Sequence, residues 1–449
     1  MLKEIINFFK TGENKPVFTT DKGKIKKVYE HMRWRIFITL TVGYGLFYIC
    51  RTNLSIIKKP MMDAGILDPG QLGLIGSALL ITYAVGKLVN GVLGDRSNVR
   101  KYVSIGFLLS AFINLYLGFT PLFITFIILW ALNGWFQATG ASPSISSLAN
   151  WFSPKELGSR YGIWSLGHFI GEGVTYIGTA FVVASLGWQW GFWGPGIAGV
   201  LIAIIMYMSL ADRPQTYGLP PVTEYKNDCP EEICETDKSV GKVQFEIIKN
   251  PLIWILGLAS LSMYISRYAI SSWAMLFLQE AKHYSIIQAG AILAAYPIAG
   301  IFGSASSGIV SDLFFKGKRH WPVVIYGSLQ VLGLSLIYTI PEQYIWLNTC
   351  AMALCGFALG GLLVFLGGLM AVDICSKKAA GTAAGMMGLM GYFGAAAQDT
   401  ISGYLINASK TMVAGKAVYH FDSAFYFWIG ASIMAIIFAS ITWKAKPKA

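Results

Sequence analysis

The chain alternates between long apolar blocks and short polar segments along almost its whole length. Each block is close to the roughly 20 residues that a helix needs to span a hydrocarbon layer ~30 Å thick. The blocks are continuously apolar and lack the alternation of a membrane strand, so they predict helices. About twelve are predicted, covering approximately residues 36–57, 71–94, 102–119, 121–147, 158–185, 190–211, 252–278, 286–311, 321–341, 345–374, 379–408 and 423–443. The predicted fold class is an all-α membrane protein.

The longest polar stretch between two blocks lies near the middle of the chain and is rich in Pro, Glu, Asp and Lys. It predicts a cytoplasmic linker between two pseudo-symmetric six-helix bundles. A weak repeat supports this duplication, because span 2 ends in Gly91-Val-Leu-Gly-Asp95-Arg96 and span 8 ends in Gly308-Ile-Val-Ser-Asp312, each followed by basic residues. The predicted divisions are a cytoplasmic segment 1–35, a first bundle 36–211, the linker 212–250, a second bundle 251–443 and a cytoplasmic tail 444–449.

Composition agrees with a membrane protein, since 55% of residues are hydrophobic and 13% are charged, against about a quarter charged in soluble chains. The net charge of +12 would suggest nucleic acid in a soluble protein. Here the basic residues lie in short segments at the ends of spans, so we expect a lipid bilayer and no nucleic acid as the partner. These residues are Lys22, Lys24, Lys26, Lys27, Arg33, Arg35, Arg96, Arg100, Lys101, Lys316, Lys318, Arg319, Lys377, Lys378, Lys444, Lys446 and Lys448.

Their distribution predicts that both termini are cytoplasmic, because cytoplasmic loops carry the excess of Lys and Arg. Lys58 and Lys59, in the predicted first external loop, and Lys410 and Lys416, in the last, count against this orientation. The region before span 1 has many lysines, short apolar runs and no small-residue cleavage site, so no cleavable signal peptide is expected.

Two arginines are predicted inside spans, where a charge costs at least ~2.5 kcal/mol and needs a partner or a watery cavity. Arg51 shares a helix face with Tyr44 and Tyr48, and Arg267 follows Tyr264 by three residues, with Trp273 two turns further on. If the halves are related by pseudo-symmetry, the arginines face each other across a central cavity. A planar guanidinium donates paired hydrogen bonds to phosphate, so we expect a small phosphorylated anion there. The alternative for each arginine is an acidic partner or a position at the membrane surface.

Other polar residues in the spans are further candidates for the site. Lys87 lies four residues after Tyr83 and either enters the cavity or extends toward Asp95. Asp399 is the most conspicuous acid of span 11, where it either accepts sugar hydroxyls, balances Lys87 or has a structural role.

In span 5, Trp164, His168 and Glu172 recur every four residues, which allows Glu172 to hydrogen-bond His168 and raise its pKa. His168 then binds phosphate or senses protonation, or else it is a neutral histidine satisfied by a carbonyl.

Motifs of catalysis are missing from the sequence. It has no Gly-x-x-x-x-Gly-Lys-Ser/Thr nucleotide loop, no His-Glu-x-x-His and no nucleophile elbow. The six cysteines have no metal-binding or disulfide spacing. We therefore expect neither an enzyme nor an ATP-driven pump, and no cofactor or metal.

Several motifs together resemble the organophosphate:phosphate antiporters of the major facilitator superfamily, over essentially the whole chain. They are Tyr48-Ile-Cys-Arg51-Thr-Asn, Gly86-Lys87, Gly94-Asp95-Arg96-Ser97-Asn98, Asn133-Gly-Trp-Phe-Gln137, Trp151-Phe, Asp212-Arg-Pro-Gln-Thr-Tyr-Gly-Leu-Pro220, Arg267-Tyr and Trp273. The resemblance implies the major facilitator fold, with Arg51 and Arg267 as a phosphate clamp. It implies a cavity lined by Tyr48, Tyr83, Lys87, Trp164, His168 and Tyr264, and gating and structural roles for Asp95, Arg96 and Asp312.

Departures from the family pattern guide the choice of substrate. Ala141-Ser-Pro replaces a tryptophan and paired prolines of the glycerol-phosphate carrier, and an acid expected in span 8 is replaced near Tyr296. Gly171-Glu172-Gly173 looks more like the sensor-type hexose-phosphate branch. We expect a monomeric antiporter of the bacterial inner membrane that exchanges hexose 6-phosphate, such as glucose 6-phosphate, for inorganic phosphate. A glycerol 3-phosphate antiporter and a membrane sensor of hexose phosphate are the alternatives.

Overall fold

The computed structural model describes residues 2–19, 21–227, 245, 247–316, 318–375, 380–413 and 415–444. Twelve helical spans run through these residues, and the predicted all-α membrane fold is confirmed. The first six are Lys22–Phe47 with Asn53–Asp63, Pro69–Asp95, Val99–Leu117, Phe123–Gln137 with Ser142–Trp151, Pro154–Leu186 and Trp190–Ser209. The last six are Pro251–Ala269 with Met275–Glu280, Ile286–Ile309, His320–Thr339, Ile345–Val364 with Met370–Asp373, Ala380–Ala408 and Asp422–Ile441.

The remaining elements are short. They are the helices Leu2–Phe9 and Val222–Tyr225, the 3₁₀ turns Tyr48–Cys50, Pro214–Tyr217 and Thr442–Lys444, the π-helical turns Ile270–Ala274, Val310–Phe314 and Phe365–Leu369, and the strands Thr411–Val413 and Lys416–Val418. The strands form a small antiparallel hairpin between spans 11 and 12, which the apolar pattern did not predict.

Nine helices among the described residues are long and apolar enough to cross a membrane. The other three spans differ in composition or continuity. Span 1 is interrupted after Phe47, span 3 begins with Arg100 and Lys101, and span 11 is rich in Gly and Ala and carries Asp399. A break or a polar side chain alone does not remove the apolar signal, because span 7 carries Arg267 and is interrupted at Ile270–Ala274, yet it is among the nine.

Local sequence explains where several helices begin and end. Asp68 forms a capping box with Gln71 at the start of span 2, and Ser285 forms one with Gln288 at the start of span 8. Each box satisfies backbone N–H groups that have no partner within the helix. Gly187 ends span 5 with φ of 92°, a conformation that favours glycine.

The spans pack mainly within each set of six. Spans 1 and 5, 2 and 4, and 3 and 6 are neighbours in the first set, as are 7 and 11, 8 and 10, and 9 and 12 in the second. The two sets meet where span 2 packs on span 11 and span 5 on span 8. Small residues allow this close approach: a Cβ at Gly73 would lie 2.4 Å from the carbonyl oxygen of Asp399.

Successive spans are antiparallel, and we call the end of the bundle at which span 1 begins the terminal end and the opposite one the far end. Span 1 extends beyond its predicted limits, from Lys22 to Asp63. The prediction that Lys58 and Lys59 lie in an external loop is therefore wrong, because both belong to the helix Asn53–Asp63. Lys58 is 1% exposed.

The first part of the predicted linker packs on the first six spans at the terminal end. Trp151 Nε1 donates to the carbonyl of Asp212 at 2.7 Å, and the rings of Tyr29 and Tyr225 stack with centroids 4.0 Å apart. The middle of the linker, residues 228–244 and 246, lies outside the described residues, as do Lys377, Lys378, Lys446 and Lys448.

Candidate functional site

Arg51 lies at a break in span 1. The helix tightens into a 3₁₀ turn at Tyr48–Cys50, and Arg51 follows with φ of −126° and ψ of −46° before the next helix begins. The carbonyl of Cys50 accepts hydrogen bonds from the side chains of Asn114, at 3.1 Å, and Asn133, at 2.8 Å. Both asparagines are fully buried, so the broken backbone is satisfied by spans 3 and 4.

The guanidinium of Arg51 is surrounded by tyrosines. Its Nη2 donates to the hydroxyl of Tyr268 at 2.6 Å, which links span 1 to span 7. The central guanidinium carbon, Cζ, lies 4.1 Å from the ring centroid of Tyr83, 5.2 Å from that of Tyr48 and 5.9 Å from that of Tyr392. Aromatic faces at this range stabilise a cation without neutralising it.

Arg267 comes from the other set of spans and reaches the same tyrosines. It lies near the end of the helix Pro251–Ala269, and its guanidinium is 5.6 Å from the ring centroid of Tyr264 and 5.9 Å from that of Tyr268. Arg51 and Arg267 are each 8% exposed. Within the described residues neither arginine has a carboxylate within ion-pair distance, so the alternative of an acidic partner finds no support.

His168 lies beside this cluster, with its ring centroid 5.8 Å from that of Tyr48. Its Nδ1 is 2.5 Å from the carbonyl oxygen of Ser165, which only accepts, so Nδ1 carries a proton. Nε2 is buried without a hydrogen-bond partner among the described residues. Trp164 stacks on Tyr44 with centroids 4.4 Å apart and forms one wall of the cluster.

The predicted hydrogen bond between Glu172 and His168 is wrong. Glu172 accepts from the hydroxyl of Tyr176, at 2.6 Å, and from that of Ser271, at 2.9 Å. Tyr176 is four residues from Glu172, as His168 is, but it lies on the side that faces span 7. Glu172 therefore joins spans 5 and 7 through hydroxyl groups.

Lys87 points toward the arginines rather than toward Asp95. Its Nζ lies 5.7 Å from the ring centroid of Tyr392, and the side chain lines a cavity of about 170 Å³ between spans 2 and 11. Ala84, Gly385 and Gly388 are among the small residues that leave this space. The cavity lies on the terminal side of the arginines, because these residues occupy the terminal halves of their spans.

Trp273 and Asp399 lie on the far side of the arginines, where they form a far-end cluster with Lys58. Asp399 accepts from Trp273 Nε1 at 2.7 Å, and its Oδ1 is 4.0 Å from Lys58 Nζ. Lys58 Nζ also lies 3.5 Å from the ring centroid of Trp273. Lys59 pairs with Glu280 nearby, again across the two sets of spans. The proposed balance between Asp399 and Lys87 is wrong, since Asp399 pairs with Lys58.

Free space on this side of Arg51 is small. A cavity of about 40 Å³ separates Arg51 and Tyr268 from Lys58 and Asp399, which is room for about one water molecule. The far-end cluster and the Lys59–Glu280 pair therefore close the site at the far end, while the larger space lies toward the terminal end.

The three predicted gating residues lie at the terminal end. Asp95 accepts a hydrogen bond from Ser146 of span 4, and Arg96 caps the end of span 2. Asp312 pairs with Arg319 at 2.7 Å, and Arg319 Nε also donates to Asp373 at 3.2 Å. The second loop thus ties spans 8, 9 and 10 together.

Four residues of the site were missed by the sequence analysis: Lys58, Tyr268, Ser271 and Tyr392. Tyr392 had a signal, because it precedes Asp399 by two helical turns and so shares its face. Tyr268 is adjacent to Arg267, but neighbours in a helix point in different directions, and only the approach of span 1 brings it to Arg51.

Comparison with known sequences identifies the superfamily of the chain and several similar curated proteins. The Major Facilitator Superfamily model matches residues 40–398. The probable hexose phosphate transport protein of Chlamydia pneumoniae is 32% identical over 447 residues, 95% of each chain. The glycerol-3-phosphate transporter of Bacillus subtilis is 30% identical over 459 residues, 99% of each chain. The membrane sensor protein UhpC of Salmonella typhimurium is 30% identical over 397 residues, 87% of this chain and 89% of that one.

A solved structure with a similar fold is the inward-facing, unoccupied bacterial homologue of the human lysosomal transporter Spinster. It has a TM-score of 0.71 and 16% identity, and the match covers 92% of this chain and 97% of that one. At this level of identity the likeness describes the fold alone.

Proposed function

The chain belongs to the major facilitator superfamily, and within it to the organophosphate:phosphate antiporter group, and on this premise we propose that it exchanges a hexose 6-phosphate for inorganic phosphate. Members of this group are membrane transporters or sensors and not enzymes. We place the chain in the bacterial inner membrane as a monomer, with the terminal end and both termini in the cytoplasm.

The observation that carries this proposal is the pair of buried arginines, which have no acidic partner in the part of the chain that the structure describes. A buried charge is costly unless something pairs with it. Arg51 and Arg267 come from opposite sets of spans and share Tyr268, so an anion between them would contact both halves. A phosphate fits because its oxygens accept the paired N–H groups of each guanidinium.

Exchange follows from the same charges. In alternating access, the two sets of spans rock around a fixed site. Bringing two unit charges to within 4 Å at an effective dielectric constant of ~20 costs about 4 kcal/mol. A bound phosphate offsets this repulsion, so the loaded carrier changes conformation more readily than the empty one. Phosphate or its ester must then be bound on each passage.

A hexose phosphate is preferred over glycerol 3-phosphate for two reasons. The Chlamydia relative with 32% identity is named a probable hexose phosphate transport protein, and the 170 Å³ cavity beside Lys87 extends away from the arginines on the side opposite the far-end cluster. That space would hold the sugar of an ester whose phosphate lies between Arg51 and Arg267.

The test is uptake of labelled glucose 6-phosphate into liposomes that contain the purified protein and internal phosphate. Uptake that depends on internal phosphate, and that glycerol 3-phosphate inhibits only weakly, is the expected result. Uptake without internal phosphate would refute exchange, and stronger inhibition by glycerol 3-phosphate would transfer the preference to that ester. Tight binding without any uptake would favour a sensor, the function named for the UhpC relative.

The arginine clamp is tested by Arg51→Lys and Arg267→Lys. Each variant keeps the charge but loses paired hydrogen bonds, worth about 1.5–3 kcal/mol, so transport efficiency should fall about 10- to 100-fold while the protein stays folded. Arg35→Lys, at an exposed arginine of span 1, is the matched control and should transport normally. Wild-type uptake in either site variant would refute the clamp.

A further inference from the structure

A second basic cavity lies at the terminal end, away from Arg51 and Arg267. It has a volume of about 380 Å³ and is formed by spans 7, 9, 10 and 12. Its lining includes Lys318, Arg319, His320, Trp321, Asp373 and Trp443. None of them belongs to the proposed transport site.

Two cations and one carboxylate, Lys318, Arg319 and Asp373, line this cavity, and Asp312 supplies a second carboxylate beside Arg319. Arg319 is engaged by Asp312 and Asp373 through Nη1 and Nε, with distances of 2.7 and 3.2 Å. Lys318 is exposed and has no ion-pair partner among the described residues. Nδ1 of His320 is buried without a hydrogen-bond partner within the described chain, so it is not open to the cavity. An anion that enters would meet the ammonium group of Lys318.

Aromatic and apolar side chains form the rim of the cavity. The ring of His320 stacks on Trp443 at 5.3 Å, and Trp321 meets Trp443 edge-on at 4.9 Å. Trp321 is 46% exposed and Trp443 is 39% exposed. Tryptophan is enriched at the depth of lipid headgroups. Leu313 and Phe314, at the adjoining end of span 8, are each 74% exposed, which suits contact with acyl chains and not with water.

We propose that this cavity binds the headgroup of an anionic phospholipid. A phosphodiester carries a permanent negative charge, which Lys318 attracts. The acyl chains lie against the exposed rings of Trp321 and Trp443 and, beyond the cavity, against Leu313 and Phe314. The inference rests on the proposed orientation, which places the terminal end in the cytoplasm, where basic pockets between spans are suited to such headgroups. Free phosphate has the same charge chemistry, but it would make no use of the exposed apolar rim.

The site adjoins the ion pairs that tie spans 8, 9 and 10 together. A headgroup phosphate that pairs with Arg319 competes with Asp312 and Asp373 for the same guanidinium. Lipid composition would then alter how firmly these three spans are held, although no lipid contacts the arginines of the transport site.

The experiment measures lipid binding to the purified protein by native mass spectrometry in a neutral detergent. Dioleoyl phosphatidylglycerol is titrated against dioleoyl phosphatidylcholine, with Lys318→Gln as the variant. Lys416→Gln, at an exposed lysine of the far-end hairpin, is the matched control. Phosphatidylglycerol should bind more tightly than phosphatidylcholine, and Lys318→Gln should weaken the first bound phosphatidylglycerol about five-fold, as expected for one lysine near an anionic surface.

Three outcomes would overturn the proposal. The first is equal binding of the two lipids by the wild-type protein. The second is an equal effect of Lys416→Gln and Lys318→Gln, which would indicate attraction to the surface as a whole. The third is displacement of phosphatidylglycerol by millimolar inorganic phosphate or glycerophosphoglycerol, which would assign the cavity to a soluble phosphate. Because Lys318 is exposed, the substitution does not threaten folding.

Discussion

Replacing Asp399 with Asn should loosen the far end of the protein. The change keeps the size of the side chain and an acceptor for Trp273, but it leaves Lys58 buried without a counter-charge. At 4.0 Å and an effective dielectric constant of ~20, the attraction between the two charges is about 4 kcal/mol. Breaking one partner of a buried pair typically costs 3–5 kcal/mol. Since Lys58 keeps its contact with the Trp273 ring, we expect about 3 kcal/mol.

This loss falls on the state in which the far end is closed, because the pair bridges the two sets of spans. A loss of ~3 kcal/mol would raise the ratio of far-end-open to closed protein about 100-fold. The assay is the labelling rate of a cysteine placed at Ser55, which lines the small cavity, by an impermeant thiol reagent added from the far-end side. The same protein without Ser55→Cys gives the background from exposed Cys350.

The double variant Lys58→Met/Asp399→Asn separates electrostatics from packing. Removing both charges leaves neither member of this pair as an unpaired buried ion, so labelling should return toward the wild-type rate. An unchanged rate in Asp399→Asn, or a double variant that labels as fast as Asp399→Asn, would refute this account of the far-end closure.

Two further predictions concern stability. A Cβ at Gly171 would lie 1.8 Å from the carbonyl oxygen of Gly45, so Gly171→Ala should separate spans 1 and 5 and destabilise the protein by about 1–3 kcal/mol. Gly178→Ala, in the same helix with nothing within 4 Å of the new Cβ, should leave thermal unfolding almost unchanged, and equal losses would contradict the packing argument. Glu156 lies in the first turn of its helix, before the apolar block that begins near residue 158. Burial raises the pKa of this carboxyl, but the Arg33 guanidinium, 2.7 Å away, outweighs burial and holds the pKa below its usual 4.5. The ionised Glu156 therefore stabilises the folded protein above pH 4.5, and this stabilisation is lost as the pH falls through the lowered pKa. The difference in unfolding temperature between the wild type and Glu156→Gln should shrink on acidification. A difference that stays constant with pH would refute this role of Glu156.

The apolar pattern predicted the spans because each must bury about 20 residues in lipid, whatever its partners are. It also singled out Arg51 and Arg267, since cations within such blocks are rare. The environment of these arginines was harder to predict. The tyrosines around them come from spans 1, 2, 7 and 11, and sequence distance carries no information about which spans meet.

Lys58 shows why span 1 was predicted too short. Two consecutive lysines after an apolar block favour a loop, because an unpaired ammonium is costly in a membrane. The counter-charge of Lys58 is Asp399 in span 11, and it becomes visible only once spans 1, 7 and 11 are assembled. A helix therefore continues where the local pattern predicts its end.

Glu172 illustrates a choice that local geometry leaves undecided. Both His168 and Tyr176 are one helical turn away, and each is a possible hydrogen-bond partner. Ser271 of span 7 decides the outcome, since the carboxylate that reaches it also meets Tyr176. Side-chain contacts within a span thus depend on the neighbouring span.

The break in span 1 has a consequence for anyone who wishes to redesign this protein. The direction of Arg51 is set by Asn114 and Asn133, which hold the carbonyl of Cys50. An arginine placed at the same position of an unbroken helix, without Asn114 and Asn133, would therefore point in a different direction. The small residues beside Lys87 line a cavity and hold no such backbone carbonyl, so in the proposed function they are the positions at which the accepted organic group could be changed while Arg51 keeps its direction.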